Sequence, residues 1–242
     1  MTRKRADVTL VERGLFESRA RAQEAIAAGL VIVDGTPVRK ASEMIGAQSV
    51  IAAEPPHPYV SRGGVKLAAA LDAFNFDPKG CVCVDLGAST GGFTEVLLLR
   101  GATRVYAVDV GRSQLHPKVG ADTRVTSLES TDARRLDASL IPEPVDLLVA
   151  DVSFISLKLV LPAAVALLKP GAAVALLVKP QFEAGRDRVK KGIVRDEAVH
   201  RAVCEDMTAF IVSLGLSPVG LVPSPIEGGD GNREFLLGAR LG

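Results

Sequence analysis

Tryptophan is absent from the 242 residues, and aromatic residues make up only 4% of them, so stacking of single-stranded bases on an array of rings has few candidates. Charge of either sign is not in excess: 29 basic and 28 acidic side chains leave a net +1, and any nucleic-acid footprint must come from local clustering. The three cysteines form no CxxC pair and no even disulfide framework. Cys81 and Cys83 fall on one face of a strand and Cys204 in a helical pattern, so all three read as buried, reduced thiols. His57, His116 and His200 are scattered, and no metal site is expected. The longest apolar stretch, Leu157 to Val178, is interrupted by Lys158, Pro162, Lys169 and Pro170, which argues against a membrane span. The basic start, Met1-Thr2-Arg3-Lys4-Arg5, is followed by no apolar signal-peptide core. A soluble cytoplasmic protein without a membrane partner is the expectation.

What is present is a chain rich in Ala, Val and Leu, 48% apolar, which suits a buried parallel sheet. Its organising stretch is Cys81-Val82-Cys83-Val84-Asp85-Leu86-Gly87-Ala88-Ser89-Thr90-Gly91-Gly92-Phe93: an apolar strand ending in an acid, a glycine-rich turn, then a helical run. Such loops fall at the carboxyl edge of an open sheet, where ligands bind. The glycine order is not the G-x-G-x-x-G of a nicotinamide site, and no lysine follows it as in a phosphate-binding P-loop. Arg104 to Asp109 is a second apolar strand ending in a carboxylate, placed to accept both hydroxyls of a ribose. The pair of motifs resembles the first two of S-adenosylmethionine (SAM) methyltransferases. The resemblance implies that Asp85, the loop Gly87, Ala88, Ser89, Thr90, Gly91, Gly92 and Phe93, and Asp109 hold SAM, with Asp132 reading the adenine amino group and Asp151 completing the pocket.

Residues 1–54 read as a separate unit: a helix from Asp7, as its cap, to Arg13, a second helix Arg19 to Ala28 capped by Ser18, then Leu30 to Val33, an Asp34-Gly35 turn and a last strand near Ser49 to Ile51. Ser18-Arg19-Ala20-Arg21-Ala22, Ala28-Gly29-Leu30-Val31 and Val33-Asp34-Gly35 resemble the S-four-type RNA-binding domain. The resemblance implies RNA contacts by Arg19, Arg21, Arg39 and Lys40. Residues 55–60, with three prolines, read as a semi-rigid linker.

Residues 61–242 alternate strand and helix and close on a hairpin, the pattern of a doubly wound α/β sheet. A helix capped by Ser61 runs through Ala73. Strands follow at Val125 to Leu128, Asp146 to Asp151, Ala173 to Val178, Pro218 to Ile226 and Glu234 to Leu241. A helix Ser156 to Leu168 is closed by Lys169-Pro170-Gly171, and another spans Glu197 to Leu214. Between them lies a polar loop, residues 185–196, with Arg186, Arg188, Lys190 and Lys191; long loops of this kind serve function. Two apolar strands end in ionisable residues, Asp151 and Lys179, which is costly away from a ligand edge or a partner.

Lys66, Asp151, Lys179 and Glu234 together resemble the tetrad of FtsJ-type ribose 2′-O-methyltransferases. Ser61-Arg62-Gly63, Leu86 to Phe93, Ala150 to Leu157, Val178 to Glu183 and Gly231-Asn232-x-Glu234 carry the likeness. Nearly the whole chain resembles the TlyA (haemolysin-A-like) rRNA 2′-O-methyltransferase family. That implies a Rossmann-like seven-stranded SAM methyltransferase sheet behind a small N-terminal α+β RNA-binding domain. It also implies SAM-dependent methylation of a ribose, at cytidine, in ribosomal RNA of the ribosomal subunits. Arg62 and the loop 185–196 would join the RNA contacts. A hydroxyl is a poor nucleophile at neutral pH, so a lysine that takes its proton or orients it, with acids to hold the amines, makes chemical sense. Lys179 is general base or hydroxyl orienter on this reading. Two alternatives stand beside this reading: a membrane-active haemolysin, the activity behind the family's older name, for which the sequence offers no spanning helix, or a non-catalytic RNA-binding ribosome-assembly factor, which needs the RNA module but not the tetrad. A monomer or weak homo-oligomer is expected.

Overall fold

The structure is a computed structural model that describes residues 3–189, 191–228 and 231–242. The chain divides into two compact units, Met1–Pro58 and Tyr59–Gly242. The division falls inside the proline-bearing stretch: residues 55–58 go with the first unit, Tyr59 and Val60 with the second.

The first unit runs β1 (Arg3–Arg5), α1 (Ala6–Glu12), α2 (Arg19–Ala27), β2 (Val31–Val33), β3 (Thr36–Pro37), β4 (Met44–Gly46) and β5 (Ile51–Ala53). Its core gathers Leu10, Phe16, Ile26, Val31, Val38 and Ile45. Ser18 Oγ accepts the Arg21 amide at 3.3 Å, so the expected cap starts α2. Asp34 and Gly35 both take positive φ, 50° and 79°, the primed turn that joins twisted strands β2 and β3. Three expectations need correction. Asp7 does not precede α1 as its cap but sits in its first turn, fully buried, accepting from Arg5, Arg19 and Gln23. The last strand is Ile51–Ala53 rather than Ser49 to Ile51, because its partner β2 pairs Val33 with Ile51 and Val31 with Ala53. The antiparallel pair β1–β4 was not foreseen; three-residue strands are too short to show a period.

The second unit comprises α3 (Gly63–Phe74), β6 (Val82–Leu86), α4 (Gly92–Leu99), β7 (Arg104–Val108), α5 (Pro117–Gly120), β8 (Val125–Leu128), β9 (Val145–Ala150), α6 (Leu157–Val165), β10 (Leu168–Val178), α7 (Pro180–Glu183), α8 (Glu197–Ser213), β11 (Leu216–Pro223) and β12 (Phe235–Leu241). Its seven strands lie in the order β11-β12-β10-β9-β6-β7-β8. The five central and right-hand strands are parallel, and β12 runs against both neighbours. The order reverses between β6 and β9, and a ligand crevice opens at such a switch point.

Strand alternation divides the core. Leu86, Leu148, Ala150, Leu176 and Val178 face α6 and α8; Cys83, Leu147, Val149, Ala175 and Leu177 face α3 and α4. α3 starts at Gly63 with Arg62 in the cap position, two residues after Ser61, whose carbonyl accepts the Gly64 amide at 3.1 Å. β10 begins earlier than expected: Lys169-Pro170-Gly171 do not close a helix but lie within the strand. Leu168 pairs with Val145, the register then slips, and Gly171 at φ 79° accommodates the bulge that carries the proline. β11 covers Leu216–Pro223, earlier than Pro218 to Ile226, because Leu216 pairs with Leu241 at the hairpin's far end.

Candidate active site

The same alternation sets the direction of the strand tips. Asp85, Asp151 and Lys179 follow Val84, Ala150 and Val178, so all three turn toward the α3–α4 side. Val178 pairs with Phe235, which sets Glu234 at the tip beside Lys179 although it arrives on an antiparallel strand. Lys66 projects from the fourth position of α3, on the same side. Two ion pairs result. Lys66 Nζ lies 2.5 Å from Glu234 Oε2, and Lys179 Nζ lies 2.5 Å from Asp151 Oδ1. Lys179 also donates to Ser153 Oγ at 2.8 Å. Lys66, Lys179 and Glu234 are 6%, 8% and 4% exposed, so three of the four charges are largely withdrawn from water, where only pairing makes them tolerable. Gly228 packs so close to Glu234 Oε1 that no side chain fits there.

Beside the pairs a cavity of about 390 Å³ opens between the ends of β6, β7 and β9, walled by Gly87, Ser89, Asp109, Asp132, Asp151 and Phe154 among others. Gly87, at φ 81°, lies against the Asp151 carbonyl, leaving no room for a Cβ. The Asp109 carboxylate accepts the Ser89 amide at 2.8 Å and the Gly111 amide at 2.7 Å, which aims it across the loop. Asp132 caps the short turn Ala133–Arg135, and its hydrogen bonds from Arg134 hold its carboxyl down at about 2, ionised at neutral pH. Thr90, Gly91, Gly92 and Phe93 shape the loop from behind. Gly91 at φ 91° leads into α4, Gly92 has Ser61 Oγ against it, and Phe93 is core. Asp85 is not among the residues that wall the cavity: it is fully buried, Thr94 Oγ1 donates to its Oδ2 at 2.7 Å, and its Oδ1 has no hydrogen-bond partner among the described residues. Burial, opposed by that bond, pushes its carboxyl up to about 7.

Residues 59–241 match the FtsJ-like methyltransferase family and residues 4–51 the S4 domain. The chain belongs to the FtsJ-like methyltransferase family. Among its relatives is "16S/23S rRNA (cytidine-2'-O)-methyltransferase TlyA" of Mycobacterium tuberculosis, 44% identical over 241 residues, 98% of this chain and 90% of the other. "Putative rRNA methyltransferase YqxC" of Bacillus subtilis is 47% identical over 238 residues, 97% of this chain and 85% of the other. Among solved structures, "Putative hemolysin from Streptococcus thermophilus" superposes with a TM-score of 0.79 at 44% identity, covering 100% of this chain and 89% of that one. No helix among the described residues is long and apolar enough to cross a membrane.

Against this FtsJ-like frame, the arginines of the first unit are more committed than their exposure suggests. Arg19 pairs with buried Asp7 at 2.8 Å, and Arg21 donates to the His57 carbonyl at 3.2 Å. Arg39 and Lys40 are exposed, and their backbone amides donate to Glu43 Oε1 at 2.8 Å. Arg62, Arg188 and Lys191 are exposed as well, whereas Lys190 and the Arg186 side chain lie outside the described residues. Arg3, Lys4 and Arg5, considered above only as a targeting signal, form an exposed basic strand. Two residues at the cavity received no separate role from sequence. Ser153 holds Lys179. Phe154 is 92% exposed at φ 65°, its ring 5.3 Å from that of Phe182. An aromatic held in a strained backbone and left in water at a site's mouth is a mark of function that no periodicity announces.

Proposed function

We propose that this protein transfers a methyl group from SAM to the ribose 2′-hydroxyl of a cytidine in ribosomal RNA. The observation that carries the reading is the pairing of two largely buried lysines with two carboxylates beside the glycine-turn cavity. The relative from Mycobacterium tuberculosis, with its printed cytidine-2′-O activity on 16S and 23S rRNA, supports the substrate.

The cavity suits SAM on its own chemistry. Its wall carries Asp109, Asp132 and Asp151, matched to a ligand with an ammonium and a sulfonium charge. Asp109, fixed by two loop amides, retains lone pairs for a ribose diol. The bare Gly87 lets the chain backbone close on the ligand. Bound there, SAM supplies the electrophilic methyl. Lys179 donates to Ser153 Oγ and is ion-paired with Asp151, and a further N–H of its ammonium is left to hold the substrate oxygen. Asp151 fixes that ammonium and stands as the nearest carboxylate for the hydroxyl proton. The Lys66–Glu234 pair closes the site from the α3 side and keeps water out. Exposed Arg39, Lys40, Arg62, Arg188 and Lys191 are the phosphate contacts on this reading, with Arg19 and Arg21 joining by exchange of partners. On this reading the protein works in the cytoplasm, where ribosomal RNA is found.

The test compares wild type with Lys179→Ala, using labelled SAM and unmodified ribosomal subunits. Loss of about 10²–10⁴-fold in transfer, with SAM binding retained, is expected. Equal incorporation would overturn the assignment and favour a non-catalytic RNA-binding role.

A further inference from the structure

A second cavity, of about 480 Å³, adjoins the first and shares Phe154 and Ile155 with it. Its size is within the range of small-molecule sites, about 300–1,000 Å³. Leu159, Gln181 and Phe182 line it too, so most of its wall is apolar. Lys179 Nζ stands 6.0 Å from the Phe182 ring centroid, which brings the hydroxyl-holding amine to the cavity's edge.

Polar groups on this wall are few. The Ser156 hydroxyl is committed, donating to Glu183 Oε2 at 2.5 Å and accepting the Lys158 amide at 3.1 Å. Gln181, two residues beyond Lys179, is different: its side-chain carbonyl is shut away from water and accepts no hydrogen bond. Buried acceptors are nearly always satisfied, and an exception asks for an explanation. An incoming N–H donor supplies one.

Resting on the methyl-transfer reading above, we infer that this cavity receives the base of the target nucleotide. Gln181 is then a specificity-determining residue whose amide carbonyl accepts the exocyclic amine of cytosine. The 2′-hydroxyl and the base hang on adjacent carbons of one sugar. A hydroxyl held at Lys179 therefore leaves the base within reach of the neighbouring cavity. The Phe154 and Phe182 rings offer it a surface, but every base has a π face, so the rings alone do not select. Selection needs a group that reads the base edge; Gln181 lines the cavity, and turning its terminal amide brings its unspent acceptor to it. The terminal amide torsion is soft, so the carbonyl meets the amine without backbone movement.

The test is a double cycle on the full chain. Synthetic rRNA fragments carry either cytidine or its amine-less analogue, 2-pyrimidinone riboside, at the methylated position. Each is assayed with wild type and with Gln181→Ala. Deleting the amine is expected to lower kcat/KM by about 30-fold or more with wild type and by less than about threefold with the variant. Gln181→Met, which keeps the side-chain volume, is expected to lose the coupling in the same way. Equal losses with wild type and variants would overturn the assignment while leaving methyl transfer intact. Failure of wild type to methylate the cytidine RNA would overturn both. SAM binding by Gln181→Ala is expected at wild-type affinity, because Gln181 does not line the cofactor cavity; its loss would overturn the division between the two cavities.

Discussion

Replacing Glu234 by methionine strands the Lys66 ammonium inside the fold. The two side chains are 8% and 2% exposed and their charged atoms lie 2.5 Å apart. An exposed pair of that length contributes only about 0–1 kcal/mol. A buried one whose partner is removed costs about 3–5 kcal/mol, because the remaining charge has neither water nor a counter-ion. In a domain of this size each kcal/mol moves Tm by about 2–4 °C, so Glu234→Met should melt about 6–20 °C below wild type. The double variant Lys66→Met/Glu234→Met removes both charges and keeps the volume, and should return to within about 1 kcal/mol of wild type. Neither variant should regain methyl transfer, and both should bind SAM, since neither residue lines the cofactor cavity. Scanning calorimetry of the larger unit's transition, with labelled-SAM transfer on the same preparations, makes the measurement. A Glu234→Met protein that melts within about 2 °C of wild type would refute the reasoning, as would a double variant no more stable than the single one.

Asp85 ionises at a cost, since burial raises its carboxyl from the usual range to about 7. The folded state therefore holds an extra proton between roughly pH 4 and 7, and stability falls as pH rises through that window. Asp85→Asn should remove the fall, gaining on the order of a few kcal/mol over wild type at pH 8 and almost nothing at pH 4; parallel slopes in urea titrations would contradict this. Asp7 behaves oppositely. Arg5, with Arg19 and Gln23, holds its carboxyl well below the ordinary range, so its contribution is full above about pH 4 and drains away as pH falls further. In Asp7→Asn the first unit should be less stable at pH 7 and less sensitive to acid, as followed by circular dichroism on lowering the pH. Gly87→Ala places a methyl against the Asp151 carbonyl at a positive φ, and should abolish SAM binding by calorimetry; retained affinity would show that the loop relaxes there.

The parts of this fold that were legible in sequence share a physical cause. A strand buried on both faces is a nearly unbroken apolar run, so an ionisable residue at its end stands out: Asp85, Asp109, Asp151 and Lys179 were all visible that way. Parity then decides which tips converge, and parity is a count. The turn at Asp34-Gly35 and the Ser18 cap were equally local. What sequence concealed was non-local. The β1–β4 pair exists because strands distant in the chain meet, and Lys169-Pro170-Gly171 looks like a stop until the bulge beside β9 gives it a place. Asp7 looked like a cap because an aspartate near a helix start usually is one; its burial under Arg5, Arg19 and Gln23 depends on α2 folding over it. Gln181 stands in the family-like stretch Val178 to Glu183, yet nothing there marked its carbonyl, since an amide's missing partner exists only in three dimensions.

β12 enters between β10 and β11, and the glutamate before it meets a lysine 168 residues upstream. Ribosomes extrude a chain from its amino end. Throughout most of its own synthesis, then, this polypeptide has an open flank on β10 and a lysine awaiting its counter-ion. Only when Phe235–Leu241 clears the exit tunnel does the sheet close. The pairing of Lys66 with Glu234, and with it the site, is therefore incomplete until β12 is in place.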